Sequence, residues 1–242
     1  MSADRPTPSP KAPRHRAEAA YARGEETRRR IISVALRLFA ERGFEGTSTR
    51  EIAKAAGVNA PALQYYFDSK EGVYRACAED IATTAAAHFK PVADRAQAVL
   101  DNAGATPDQL FEAYGEMLDA LADFQMLPDD AEHRRLFITH EQVGHGPSAL
   151  FELFDKEGMR PRMGELSQAL VARYCGIPLG DPLLRMRVMM LYGQVMVFSL
   201  GKRTLLTKLG WERFGPEQLA MIKQAGRAQS RVLMDHWREE TR

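Results

Sequence analysis

The stretch TSTREIAKAAGVNAPALQYYFDSKEGVY, residues 47–74, limits the possible folds more than any other part of the chain. Helix starts and stops crowd into it. Ser48 opens S-T-R-E, a capping box in which the serine hydroxyl serves an orphan amide and Glu51 reaches back to the cap. Gly57 ends that helix, because glycine takes the left-handed conformation of a helix stop without a Cβ clash. Asn59 caps the next helix, with Pro61 in its first turn, where a missing N–H does no harm. Ser69 caps a third. Ile52, Ala53 and Ala56 supply one buried side, Leu63 and Phe67 another, and Val58 follows the glycine as a plug for the corner. Gln64, Tyr65 and Tyr66 fall between Leu63 and Phe67, and at helical spacing they cannot all point inward.

Helix, short turn with glycine, helix is the helix-turn-helix arrangement. A major groove about 12 Å wide admits one helix. The second helix enters it while the first lies across the backbone. Tyrosine hydroxyls suit phosphate oxygens and glutamine pairs with adenine, so Gln64, Tyr65 and Tyr66 have the right chemistry for that second helix. Lys70 adds a cation just past it. Ser48, Thr49 and Arg50 open the first helix, whose N-terminal amides also suit an anion.

The flanks are helical as well. Residues 1–24 are rich in Pro, Arg and Ala without an apolar period, which predicts a disordered basic arm. From Glu25, the apolar positions Ile31, Ile32, Ala35, Leu36, Phe39 and Ala40 predict a helix stopped at Gly43. Further helices are expected over 71–89 (stopped by Pro91), from the Thr106 capping box to Leu127-Pro128, over 129–143, over 147–175 with a break at Pro161, over 182–200 and over 216–238. Strand alternation and internal repeats are missing. The fold class is all-α, about nine helices: a disordered arm over 1–24, a three-helix DNA-binding unit over 25–70, and a bundle over 71–242. With 242 residues, 45% of them hydrophobic, a chain of this size buries roughly 70–75% of its unfolded surface and needs no metal or disulfide to hold a core.

The run TRRRIISVALRLFAERGFEGTSTREIAKAAGVNAPALQYYFDSKEGVY resembles the N-terminal domain of TetR-family transcriptional regulators. The resemblance rests on the Ala-Leu-x-Leu-Phe turn, Gly43-Phe44, Thr47-Ser48, Glu51-Ile52-Ala53, Ala56-Gly57-Val58, Leu63, Tyr66-Phe67, Ser69-Lys70-Glu71 and Tyr74. HRRLFITHEQ, 133–142, and FSLGKRTLLTKLGWERF, 198–214, resemble the CecR-like branch of that family. The resemblance implies a homodimer on a palindromic double-stranded DNA operator, with a recognition helix at roughly 59–66. Its DNA-facing positions fall on Ser48, Thr49, Arg50, Ala60, Pro61, Gln64, Tyr65, Tyr66 and Lys70. At Gln64 the family often has an aromatic residue, so the base read there is open. The resemblance also implies a small-molecule effector in the bundle and a dimer formed by the last two helices; Leu219, Ile222, Ala225, Gly226, Ser230 and Leu233 of the final helix include small residues that suit close approach.

Charge is uneven. Residues 1–30 carry eight Lys/Arg against four Asp/Glu, residues 79–142 four against thirteen, and residues 143–242 fifteen against ten. A basic entrance and an acidic middle suit an end that approaches a polyanion and a part kept from it; a solvated tail beside a solvated acidic face accounts for the same numbers. His133, His140 and His145, seven and five residues apart, do not share a helix face, so no metal site is expected. No catalytic constellation and no cofactor motif is present. Phe137, His140, Phe154 and Tyr192 are the expected lining of an effector pocket. Helix 182–200 is too apolar to be exposed on any face and is expected as a core helix, short of a membrane span. Cys77 and Cys175 form no framework, which with the lack of an N-terminal apolar segment points to the cytoplasm. The expected function is a ligand-responsive repressor; the alternative is a helical ligand-binding or scaffold protein whose helix-turn-helix serves protein contacts.

Overall fold

The computed structural model describes residues 14–126, 131–156 and 159–241, which form eleven helices and no strand. The head comprises α1 (Arg14–Arg42), α2 (Thr49–Ala56), α3 (Ala60–Phe67) and the start of α4 (Lys70–Asp101). The bundle comprises the rest of α4, α5 (Pro107–Met126), α6 (Ala131–Gln142), α7 (Ala149–Lys156), α8 (Met159–Cys175), α9 (Pro182–Leu200), α10 (Lys202–Leu209) and α11 (Pro216–Glu240).

Two cores hold it. One gathers Val92, Ala93 and Ala96 of α4 with residues of α5, α8, α9 and α11, around Tyr114, Met117, Leu170, Leu184 and Met234. The other packs Ile31, Ala35 and Phe39 of α1 with Ile52, Leu63, Phe67, Val73, Tyr74 and Ile81. This second core does not stop at the expected boundary at 70–71. Phe137 of α6 and Leu150 and Leu153 of α7 belong to it, and Phe137 stacks on Tyr74 with ring centroids 4.4 Å apart. Glu141 ties α6 to α7: its carboxylate accepts from the amides of Leu150, at 3.0 Å, and Phe151, at 3.4 Å, at the start of α7.

Several expectations need correction. Residues 14–24 are not an irregular arm; they continue α1 as helix, and residues 1–13 lie outside the described part. Ala, Glu and Arg favour helix by intrinsic propensity, which needs no apolar period to act. Pro91 does not stop α4, which runs on to Asp101. The proline forfeits one backbone bond, but Ala82 and Ala85 before it and Val92, Ala93 and Ala96 after it are all buried, so tertiary packing carries the helix through. Pro161 does not break a helix; it sits in the first turn of α8, where it is tolerated. Lys202 and Arg203 open a further short helix, α10.

Helix α9 is not buried on all sides. Leu184, Val188, Leu191, Val195 and Ser199 face the core, whereas Leu183, Met186, Met189, Met190, Val197 and Leu200 are exposed. By length and composition it is also long and apolar enough to cross a membrane, and here it packs on α5, α8, α10 and α11. Of the small residues of α11, Ala225 is exposed, Gly226 lies against Leu118 and Val195, and Ser230 is buried beneath Gln194, which donates to its hydroxyl at 2.7 Å.

Part of the acidic middle is paired within the chain. Acidic α5 lies along α11, with Lys223–Asp123 at 2.6 Å, Arg227 forked between Glu112 and Asp119 at 2.7 and 2.9 Å, and Arg231–Asp108 at 2.9 Å. Gly115 makes room for the fork, since a Cβ there would stand 2.8 Å from the Arg227 guanidinium.

Candidate nucleic-acid interface

The caps read from the sequence set the geometry of the two short helices. At α2 the Ser48 hydroxyl accepts from the Glu51 amide at 3.3 Å while the Ser48 amide donates to Glu51 Oε2 at 3.0 Å. The hydroxyl itself donates to the same carboxylate at 2.7 Å, and Arg42 pairs with Oε1 at 2.9 Å. The hydroxyl and amide of Ser48, then Arg42, hold the Glu51 carboxyl below the usual carboxylate range. Arg42 thereby offsets a negative charge that would otherwise repel a phosphate from this helix start. Gly57 is left-handed at φ 65°, and its amide and that of Val58 close α2 onto Ala53 and Lys54. Asn59 Oδ1 then accepts from the Ala62 amide at 2.8 Å to open α3.

On α3, Leu63 and Phe67 are buried, whereas Ala60, Pro61, Gln64 and Tyr65 are exposed. Ala60 and Gln64, and Pro61 and Tyr65, are pairs four residues apart, so the four form one continuous stripe facing solvent. Tyr65 is 85% exposed, which no folding argument rewards. Tyr66 turns away from that stripe. It is half-buried against the head core, its hydroxyl reaches Gly24 of α1, and its ring meets Tyr65 edge-on at 5.5 Å.

The link from α3 to α4 is tight. Asp68 has φ 64° and ψ −48°, and the Ser69 amide donates to the Phe67 carbonyl across it at 2.6 Å, a three-residue turn of the strained kind. Gly72 is obligatory there, because a Cβ would fall 1.9 Å from the Phe67 carbonyl oxygen. Lys70 is half-buried with its Nζ 4.1 Å above the ring of Phe44. Phe44 was visible in the sequence only as part of a motif; the structure shows it seating the ammonium by a cation–π contact. Ser48 and Arg50 are exposed and Thr49 is half-buried at the start of α2. The helix pair thus brings the expected residues to one end of the molecule, but Ser48 spends its hydroxyl on the cap.

The four expected effector residues divide between the two cores. Phe137 and Phe154 belong to the head core, and His140 Nε2 lies 3.2 Å from the Ala40 carbonyl. Tyr192 belongs to the other core, with its hydroxyl on Ser167. Two described clefts, of about 360 and 280 Å³, involve none of the four. His140 and His145 stand with rings 6.3 Å apart, and His133 approaches Glu41 at 3.9 Å; among the described residues no set fit to hold a metal is found. Burial pushes both cysteine thiols up, Cys175 to about 12, so neither supplies a thiolate near neutral pH.

Sequence comparison agrees with this geometry. A family model described as bacterial regulatory proteins, tetR family, matches residues 31–77, and one described as the C-terminal domain of the HTH-type transcriptional dual regulator CecR matches residues 110–236. The CecR regulator of Shigella flexneri is 32% identical over 206 residues, covering 84% of this chain and 88% of that protein. The AcrR regulator of Shigella flexneri is 48% identical over 50 residues, 21% of this chain and 23% of that one. Among solved structures, the TetR-family regulator PfmR from Thermus thermophilus matches at TM-score 0.52 and 19% identity, over 85% of this chain and 97% of that one. AibR, solved with isovaleryl coenzyme A and operator DNA, matches at TM-score 0.55 and 17% identity, over 84% and 97%. At such identities the structural likeness is one of fold. The head with its exposed α3 stripe, the helical bundle, and the extended match to CecR converge on one statement: this chain is a DNA-binding transcriptional regulator, not an enzyme, and belongs to the TetR family, in its CecR-like branch.

Proposed function

We propose that the protein acts in the cytoplasm as a homodimer that binds a palindromic operator and is released by a small-molecule effector. The observation that carries the DNA contact is the solvent-facing stripe Ala60, Pro61, Gln64 and Tyr65 on a helix otherwise anchored by Leu63 and Phe67. In this reading α3 lies in the major groove, Gln64 reads a base edge, and Tyr65 contacts the backbone. Lys70, Arg50 and the first amides of α2 hold phosphates, with Thr49 and Ser48 beside them and Tyr66 bracing α3 against α1. The dimer forms through the outer face of α9, with Met186, Met189, Met190 and Val197, and that of α11, with Met221 and Val232.

An effector has two ways into the head: along α4, and through α6, whose Phe137 and His140 touch α4 and α1 directly. Phe137, His140 and Phe154 stand at that junction, and Tyr192 belongs to a separate part of the bundle. The relative from Shigella flexneri is named a dual regulator, and repression is the mode proposed here as the default for a protein that occupies an operator. A gel-shift titration at two salt concentrations tests the reading. Affinity should fall with salt, with a log–log slope near −0.9 per phosphate neutralised; salt-independent or absent binding would refute it.

A further inference from the structure

Where α4, α8 and α11 end and α5 begins, the larger described cleft, of about 360 Å³, is lined by two arginines, Arg173 and Arg238. Ala105, Pro107 and Leu110 give it an apolar side. Among the described residues that line it there is no aspartate or glutamate. Helix α4 separates this cleft from the head by its whole 32 residues, about 48 Å at 1.5 Å per residue.

Neither cation is neutralised within the chain. Arg173 is half-buried and donates to the carbonyls of Leu100, Asn102 and Ala103 at 2.9, 2.7 and 2.7 Å. Those bonds engage three of the five guanidinium N–H groups, and carbonyl oxygens bring no formal charge. Arg238 is also half-buried, with its guanidinium 5.6 Å from the centroid of the Tyr174 ring. Among the described residues it has no carboxylate partner. The acids at this end are engaged elsewhere: Asp235 accepts from the Tyr174 hydroxyl, Asp108 pairs with Arg231 at 2.9 Å and Glu240 with Arg187 at 3.0 Å. Arginines in the last turns of α8 and α11 do offset the partial negative charge of helix C-termini. That accounts for their residue type, but not for a cleft that collects two of them without an acid. Half-buried cations are costly without a counter-charge, and one anion between them supplies it.

We propose that this cleft binds a small molecule carrying a carboxylate or phosphate on a short apolar body. The oxyanion sits between Arg173 and Arg238 in charge-assisted hydrogen bonds, and the body lies against Ala105, Pro107 and Leu110. The site shares no residue with Phe137, His140, Phe154 and Tyr192, and it stands or falls independently of the DNA reading of α3. Arg185, exposed near the start of α9 and outside the cleft, is the control for a general loss of positive charge.

The test is isothermal titration calorimetry on the full chain with hexanoate, hexyl phosphate, the neutral hexanamide and inorganic phosphate. Hexanoate or hexyl phosphate is expected to bind at least about tenfold more tightly than hexanamide, and the tighter of the two identifies the anion class. Inorganic phosphate should bind more weakly than hexyl phosphate, because it lacks the apolar body. Arg238→Gln should weaken the preferred probe by about tenfold or more, while Arg185→Gln leaves it unchanged. Ala105→Leu, which fills the apolar side and keeps both arginines, should also weaken it, and decides the matter if Arg238→Gln fails to fold. No binding of either anionic probe, or equal binding of hexanamide, would overturn the proposal. So would equal losses in Arg238→Gln and Arg185→Gln, or full affinity in Ala105→Leu.

Discussion

Single residues carry the head's function by what they leave uncovered and by what they forbid. Tyr65 makes no contact that folding needs, and its exposure is the mark of a group held for something else. Tyr65→Ala is therefore predicted to leave the thermal midpoint within the small range of surface substitutions, while operator affinity falls by about 1–3 kcal/mol; calorimetry and fluorescence anisotropy check the two halves. Gly72 is the opposite case. The Phe67 carbonyl occupies the place of its Cβ at 1.9 Å, so Gly72→Ala must move the α3–α4 junction. A loss of about 2 kcal/mol or more in urea unfolding is expected, together with weakened DNA binding, and a variant of unchanged stability would show that the junction is loose. Caps and stops of this kind were legible in the sequence because each is written in one to three residues with one physical job. Ser48, Gly57, Asn59, Ser69 and Thr106 all act as their types suggest. The partner of Lys70 was not legible, since the Phe44 ring comes to it from across a turn and only folding brings the two together.

At the scale of helices, local sequence signals failed where long-range packing outweighed them. Pro91 reads as a stop, yet buried alanines and Val92 on both sides hold α4 continuous. The start of α1 reads as disorder when judged by apolar period, yet its alanines and charged residues are sound helix formers. Part of the acidic middle is not a free face: α5 forms a seam with α11, in which the Arg227 fork sits where Gly115 has no side chain. Gly115→Ala is predicted to shift the guanidinium away from Asp119 and Glu112, a loss offset in part by the roughly 1 kcal/mol that alanine gains over glycine inside a helix, for a net cost under about 1 kcal/mol. In a double-mutant cycle with Arg227→Gln the two losses should not add. Full additivity by denaturant unfolding would separate the glycine from the ion pairs.

Over the whole molecule, the two cores explain how a bundle can govern a head. The head core includes Phe137, Leu150 and Leu153 from α6 and α7, so a displacement of those helices reaches α1 and α4 without crossing a linker. Aromatic and histidine side chains at helical spacing suit a core and a pocket alike, and three of the four expected effector residues, Phe137, His140 and Phe154, pack in the head core or at its edge. Of the small residues of α11, Gly226 and Ser230 serve contacts within the chain, whereas Ala225 is exposed, as are methionines and valines of α9 and α11. Met189→Glu paired with Val232→Glu is predicted to give a folded monomer by light scattering, with helical circular dichroism kept and operator affinity lost by two orders of magnitude or more. A monomer that retains wild-type affinity would remove the need for a twofold pair.

The most direct measurement is methylation protection of guanine N7 across a bound genomic fragment, because that atom lies in the major groove. Two symmetric protected patches, separated by one helical turn of about 34–36 Å or a multiple of it, are predicted, with the protection at one position in each half-site lost in Gln64→Ala. Protection confined to one patch, or none in the major groove while the fragment stays bound, would contradict the placement of α3.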